Sequence, residues 1–415
     1  MGNSQPHYFV SEALFIVSIC VLCPTSWGLS DVKEKSSATS FEALLEKTLE
    51  QHPELKAFEK EEEAAKKRSE ESFWLGDTSV SITRTGTETP IGNGVGAQTE
   101  VGIVQNFTWP GKSQRLEKLA LIDVSRSNLE LKRKRRQLER QTALFYSQVL
   151  SISLKASIQL EKLSTLNAAK RITSRNVRSG FGTSVDDSLI EREIEITRLQ
   201  LDQLAFDQTQ KVTEIETLLP YAKIDISVEK HDSIPRSYFK EKSHEASNFA
   251  IQSASLDMNR SLAELRFSKQ LVWPDFNLGL LRRNEKDYEV GVGFTIPLWY
   301  SFRQSKRIMS STALSEASAL RFDYQKKIAP LAESLLRAKI KNIQSQLLAR
   351  EKIARNISEI ALKRSKTLFE RGRIDWKQHQ LTVNAQFEDQ ERLVDLDLDL
   401  FAIQLELYEL AGVVE

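Results

Sequence analysis

The chain has 415 residues, a length that would suit two or three soluble domains, and its 58 lysines and arginines offset 57 acids to a net charge of +1. That balance excludes a general nucleic-acid binder, which carries a strongly basic face. Charged residues make up 28 % while glycine and proline number only 16 and 10, which suits exposed helices better than a doubly covered core.

Residues 13–22 (ALFIVSICVL) form an apolar run too short to span a bilayer. Pro24 and the small residues Ser26, Gly28 and Ser30 follow it. Residues 1–30 read as a secretory signal peptide cut after about Gly28 or Ser30, although no Lys or Arg precedes the apolar run. Both cysteines, Cys20 and Cys23, fall in this leader, so a mature chain would hold no disulfide and no cysteine metal site.

Residues 41–51 carry a short helical pattern, and Pro53 suits the first turn of a second helix running to about Ser72. The period then changes from helix to strand. Over 78–85, Val80 and Ile82 share one face and Ser79, Ser81 and Thr83 the other. Over 100–107, Val101, Ile103 and Phe107 share a face that Gln105 interrupts. Further along, Phe276, Leu278 and Leu280 alternate with Asn277 and Gly279. Tyr288, Val290, Val292, Phe294 and Ile296 alternate with Glu289, Gly291, Gly293 and Thr295. These stretches predict two β-hairpins, 77–109 and 275–298, each with one large apolar face. Such a face suits a soluble core or the lipid side of a membrane barrel. Trp74 and Trp273 precede the hairpins while Trp109 and Trp299 follow them, so all four fall at one end of the strands. That placement favours a membrane-interface girdle; four core tryptophans are the alternative.

Residues 112–178 contain neither Pro nor Gly and predict a helix of roughly 100 Å. Residues 303–371 predict another of similar length. Pro330 should bend it near 326–330, with a straighter path near the matching Ala143, and Ile328, Leu331, Leu335 and Ile340 continue an apolar stripe across the proline. Turns follow at 178–184 and 371–375, and helices run back. Ile190, Ile194, Leu201, Leu204, Val212, Ile215 and Leu219 mark the first; Leu393, Leu396, Leu400, Ile403, Leu407 and Leu410 mark the second. The 3–4 spacing is that of coiled coils.

The order is given twice. Phe107-Thr108-Trp109-Pro110 returns as Phe294-Thr295-Ile296-Pro297, 187 residues later, and an internal repeat of this kind marks a built device. The first repeat spans 31–219 with a helical hairpin at 112–219, a linker covers 220–235, and the second repeat spans 236–415 with a helical hairpin at 303–412.

No catalytic constellation stands out, nor any cofactor or metal site. His52, His231, His244 and His379 are scattered. Asp395, Asp397 and Asp399 resemble the start of a calcium loop with Glu406 at its twelfth position, but Leu400 stands where glycine is required. A solvated helix face is the better reading. The basic run KRKRR at 132–136 likewise reads as a wet stripe on a long helix, not a nucleic-acid contact.

Four strands cannot close a barrel, and an open sheet edge cannot face lipid. Several copies must combine, and three give twelve strands, within the range of bacterial barrels. The repeated order of helix, hairpin, long helix and helix resembles the TolC-like outer-membrane efflux proteins. So do HPEL at 52–55, QNFTWPGK at 105–112, the turn at 180–187, VGVGFTIPL at 290–298 and the turn at 371–375. The Trp-Pro-Gly-Lys element looks most like the heavy-metal efflux branch. The resemblance covers roughly residues 40–412. It implies a mainly α chain with a small membrane β part, forming an α/β barrel duct as a homotrimer in the outer membrane with its helices in the periplasm. It also implies passive export of cargo from a periplasmic adaptor and an inner-membrane pump, in efflux or type I secretion, with no enzyme activity. In that family the helical turns form the periplasmic tip that meets the adaptor. The resemblance assigns Arg178, Gly180, Gly182, Arg371 and Gly372 to the tip turns and makes Asp186, Asp187 and Asp375 a candidate pore ring. For those aspartates helix capping is the alternative. The alternative function is a periplasmic coiled-coil adaptor or scaffold, marked by one helical hairpin between soluble β domains; this chain has two hairpins of each kind.

Overall fold

A computed structural model describes residues 40–71, 73–85, 98–179, 183–219, 234–242, 248–283, 287–295 and 300–411. The leader, most of the linker, Gly180, Gly182 and Trp299 lie outside the described residues.

The first repeat opens with α1 (Phe41–Gln51) and α2 (Pro53–Ser69). The Ser40 hydroxyl caps α1 by accepting from the Ala43 N–H, and Pro53 starts α2, where its missing N–H leaves no bond unmade. Strands β1 (Leu75–Thr85) and β2 (Gln98–Phe107) follow, then α3 (Pro110–Arg178), 69 residues without a break, and α4 (Ser184–Leu218). The second repeat begins with the short α5 (Arg236–Lys242) and α6 (Phe249–Gln270), then β3 (Asp275–Arg283) and β4 (Asp287–Thr295). It continues with α7 (Tyr300–Ile353), a π-turn (Ala354–Ser358), α8 (Glu359–Glu370) and α9 (Trp376–Ala411). Equivalent helices take equivalent partners: α2 lies on α3 as α6 lies on α7, and α4 on α3 as α9 on α7 and α8.

The two hairpins form one antiparallel sheet in the order β1-β2-β3-β4. Its rows run Thr78, Gln105, Leu278, Val292 and then Val80, Ile103, Leu280, Val290. Residues opposite one another share a side of a sheet, so the large apolar side chains of both hairpins stand on one face. Thr78, Gln105 and Arg282 are polar members of that face. The Gln105 amide is satisfied locally, Nε2 donating to the Gly76 carbonyl at 2.7 Å and the amide oxygen accepting from the Thr78 hydroxyl. The central β2–β3 seam joins the repeats and leaves β1 and β4 as open edges.

Among the described residues, three apolar clusters hold the helices. One gathers Phe41 and Leu44 of α1, Tyr146 and Val149 of α3, Phe239 of α5 and Phe401 and Tyr408 of α9. In the basic run beside it Lys132, Arg133 and Arg135 are exposed as expected, while two members turn inward. Arg136 is buried, its guanidinium 4.3 Å from the ring centre of Phe249 and 5.6 Å from that of Tyr408, and Lys134 pairs with Glu54. A planar, weakly hydrated cation gains more from stacking on rings than a strongly hydrated ammonium does. The aspartates of the calcium-like run lie inside α9; Asp399 is exposed as expected, whereas Asp395 meets Lys155 of α3 at 2.6 Å and Asp397 meets Arg236 of α5 at 2.7 Å.

Helix α7 runs through Pro330 unbroken. The stripe expected to hold it there is displaced, because Ile328, Leu331 and Leu335 are exposed while Ala329, Leu336 and Ile340 are buried. Both sets satisfy helical spacing, and spacing alone does not say which of two apolar faces meets the helix's own chain. The interruption comes later, at the π-turn, so residues 303–371 are not one regular helix. Ala354 and Ser358 of this turn are both buried, and Asp389 of α9 accepts from Ser358 Oγ at 2.7 Å and from Arg350, just before the turn, at 2.8 Å.

Leu336 and Ile340 pack with Leu400, Leu407 and Ala411 of α9. Replacing Ile340 with Ala is expected to cost about 2–5 kcal/mol, the cost of an empty core site, read as the shift in thermal unfolding of the purified protein. A stability loss confined to Leu331→Ala would show that the other face is the buried one.

Candidate functional site

The apolar side of the sheet has no core against it. Val80, Ile82, Val290 and Val292 are 65–73 % exposed, and Leu278, Leu280, Tyr288 and Phe294 are exposed beside them. From Phe276 to Arg282 strand β3 advances roughly 20 Å, close to the ~25 Å lipid-facing band of outer-membrane barrels. Beyond that, Arg282 lies over the Tyr288 ring at 5.6 Å. The opposite face mixes small residues with larger ones, its rows running Ser81, Gly102, Leu281, Glu289 and Ser79, Val104, Gly279, Gly291; a Cβ at Gly293 would meet Asn277 Oδ1 at 2.2 Å, whereas one at Gly291 would meet nothing within 4 Å.

Where the strands meet the helices the sheet ends in stacked rings. Trp74 stacks on Phe107 at 5.7 Å and Phe107 on Phe276 at 5.5 Å, while Trp109 of the first repeat stacks on Trp273 of the second at 5.5 Å. Trp74 and Trp273 are half exposed, so Trp74, Trp109 and Trp273 share one end of the sheet with their rings partly free. A latch that the sequence reading missed lies under them. The Asp275 carboxylate accepts from the Trp109 N–H at 3.0 Å and from buried Lys112 at 2.8 Å, fixing the start of α3 to the start of β3. The lysine of Trp-Pro-Gly-Lys was the available signal.

At the other end of the helices the two turns come together. Leu166 and Ala169 of α3, Ile190 and Ile194 of α4, Phe369 of α8 and Trp376, Val383 and Phe387 of α9 form one cluster. Glu193 of α4 ties three helices, meeting Lys162 of α3 at 3.1 Å and Gln380 of α9 at 3.0 Å. Arg178 closes α3. After α8, Gly372 takes φ +67°, its N–H bonds the Phe369 carbonyl at 3.0 Å, and the Arg373 N–H bonds the Leu368 carbonyl at 2.9 Å. This pattern ends a helix on a left-handed residue, the role for which glycine is favoured. Arg371 and Gly372 are exposed there.

The three aspartates act locally. Asp186 and Thr183 form a reciprocal cap, the Asp186 N–H donating to Thr183 Oγ1 at 3.3 Å and that hydroxyl donating to the Asp186 carboxylate at 2.7 Å. Asp187 accepts from Ser174 Oγ of α3 at 2.7 Å, and Asp375 caps α9 by accepting from the Gln378 N–H at 2.8 Å. Capping accounts for Asp186 and Asp375 without any pore. Beside them His379 is 2 % exposed, stacked on Phe369 at 4.8 Å and sharing a 2.7 Å hydrogen bond with Ser365 through Nδ1. Burial, with Lys366 nearby, pushes its pKa down to about 4.

No family model matches the chain, and a search of curated proteins finds no match either. Solved structures do match. CusC, described through its transmembrane channel formation, shares 14 % identity over 90 % of this chain and 92 % of its own, with a TM-score of 0.75. The open outer-membrane channel MtrE of Neisseria gonorrhoeae shares 14 % identity over 90 % and 89 %, with a TM-score of 0.74. The outer-membrane protein VceC of Vibrio cholerae shares 13 % identity over 94 % and 100 %, with a TM-score of 0.72. The fold is that of the TolC-like outer-membrane channels, present along nearly the whole described chain.

The tip should soften in acid. A histidine in the unfolded chain takes its proton near pH 6.5 and His379 in the fold near pH 4, so unfolding takes up a proton between them. Local stability is complete above about pH 6.5 and falls as the pH drops toward 4. Measured relative to the intrinsic exchange rate, the hydrogen-exchange protection of α8 and the start of α9 is expected to fall over that window in the native protein and to lose this dependence in His379→Gln. The same readout applies to Gly372→Val, for which the left-handed backbone costs roughly 1–2 kcal/mol.

Proposed function

We propose that the chain is the outer-membrane duct of a tripartite export system, working as a homotrimer. One observation carries this reading: a four-stranded sheet with two open edges presents its large apolar side chains to the outside and rings its helical end with tryptophan. A soluble protein gains by covering such a surface; lipid covers it without a partner protein. The open edges are closed by other copies, since unpaired backbone groups are too costly in hydrocarbon. Three copies supply the twelve strands of a barrel, and the long helices extend it across the periplasm.

The paired tips then face the inner membrane, where they meet a periplasmic adaptor and its pump. Arg178, Gly180, Gly182, Arg371 and Gly372 shape the surface offered to that adaptor. Asp186, Asp187 and Asp375 hold the helix starts first and give the pore mouth its negative charge second. Trp299 completes the girdle with Trp74, Trp109 and Trp273. Cargo passes without a chemical step, and the duct itself needs no cofactor.

Val292 lies on the lipid side and Gly291 on the other, where a side chain has room. Val292→Arg is expected to lose its place in the carbonate-washed outer-membrane fraction, because a charge facing hydrocarbon costs about 2–4 kcal/mol near the midplane. Gly291→Arg should keep it. Normal assembly of the first with failure of the second would sink the assignment.

A further inference from the structure

The two sides of the sheet differ in charge as well as in size. Among the described residues, the paired rows of the apolar side hold no aspartate or glutamate, and their charged members are Arg84 and Arg282. The acids fall on the other side. There Arg283 stands between Glu100 and Asp287 in one row, and Glu289 ends the row before it. Arg282 stands instead in the row Ile82, Val101, Arg282, Tyr288. Arg84, paired with Thr99, takes the next place beyond Ile82 in the alternation of β1.

Both arginines lie at the end of the sheet away from the helices. The helical end of the same side carries half-exposed Trp74 and Trp273, and Lys112 beside it is buried against Asp275. Arg282 lies roughly 20 Å beyond Phe276, at the far border of the lipid-facing band. It is exposed, with its guanidinium 5.6 Å from the centre of the exposed Tyr288 ring. Arg84 lies two strands across and two residues further out, roughly 12 Å from Arg282 between Cα atoms, within the span of a phosphorylated disaccharide. A cation is costly at the bilayer midplane and nearly free of cost at headgroup level, where a long side chain carries its charge toward the polar layer. A guanidinium presents five N–H donors in a planar fork that matches phosphate, so a partner within the protein does not exhaust it.

We infer that Arg84, Arg282 and Tyr288 form a binding site for the phosphorylated sugar headgroup of an outer-leaflet glycolipid, whose acyl chains lie along the exposed Val80, Val290 and Val292. The inference rests on the reading of the chain as an outer-membrane duct, which turns this end of the sheet to the outer leaflet, and adds which lipid meets the sheet and where. A phosphate monoester holds close to two negative charges near neutral pH, and the arginine fork takes it by paired, charge-assisted hydrogen bonds. The acids on the other side of the sheet would repel the same group, so charge sorts the two sides between glycolipid and lumen.

The test is a titration of the full-length protein, purified in detergent, with lipid A carrying its phosphates. Native mass spectrometry reads the fraction of protein that holds lipid, and saturable binding is expected. Arg84→Gln with Arg282→Gln should weaken it roughly tenfold or more, the loss expected for hydrogen bonds to a charged group. Arg84→Lys with Arg282→Lys should keep part of the affinity, and Arg283→Gln, on the other side of the sheet, should bind as the unaltered chain does. Lipid A stripped of phosphate should bind as weakly as the intact lipid binds the glutamine variant. Inorganic phosphate in excess should not displace the lipid, because it has no acyl chains to lie along the strands. Raised salt should weaken binding by the unaltered protein, a readout that needs no variant. Equal binding of intact and stripped lipid, or of the lipid by the unaltered and glutamine proteins, would overturn the inference. Displacement by inorganic phosphate would overturn the assignment to a glycolipid. A protein that stays with carbonate-washed outer membranes yet binds no lipid A would overturn this site and leave the duct reading intact. A protein that leaves the membranes in that wash would overturn both.

Discussion

A β-sheet that turns valine, isoleucine and leucine outward has nothing of its own to bury them against. In water each such side chain forgoes about 1.5–3 kcal/mol of transfer free energy, and the unpaired edges at β1 and β4 invite further strands. The helices do not relieve this, because they cluster among themselves and meet the sheet through the Asp275 latch and the stacked rings. Lipid on one side and other copies at the edges satisfy both needs at once. The small residues of the opposite face fit the same arrangement: Gly293 and Gly102 leave little room for larger side chains beside Asn277, Ser81 and Leu281.

The helical part is held differently. Its clusters are small and spaced along the helices, and between them lie paired charges and hydrogen-bonded polar groups. Lys155 with Asp395, Lys162 with Glu193 and Arg350 with Asp389 each join two helices. Such pairs contribute modestly to stability but fix which turn meets which, as a tube of long helices requires. The π-turn belongs to the same logic. Its Ala354 and Ser358 are buried, and Asp389 of α9 holds Ser358 within it and Arg350 just before it.

Much of the fold was legible because period is a strong signal. The change from 3.6 to 2 at Leu75 and Asp275, and back at Pro110, is written in alternation and proline, and the duplicated Phe-Thr-Xaa-Pro tied the hairpins together. What spacing could not supply was the choice between two apolar faces. On α7 the stripe of Ile328, Leu331 and Leu335 is as regular as the buried set around Leu336 and Ile340. The π-turn left no mark in composition, since ordinary helix formers fill it. Nor did the run at 132–136 announce that Arg136 would lie between aromatic rings supplied by α6 and α9. At the tips, glycine at 372 and aspartate at 375 gave correct turn chemistry; their local capping bonds exist with or without a pore.

The central claim is that the apolar face of the sheet sits in lipid, and spin labels report that contact directly. With a nitroxide at position 292 and another at position 291, in the protein reconstituted in bilayers, the account predicts opposite relaxation. Oxygen, concentrated in hydrocarbon, should relax the label at 292, and a water-soluble nickel chelate should relax the label at 291. Equal access of the chelate to both labels, or preferential access to 292, would contradict it.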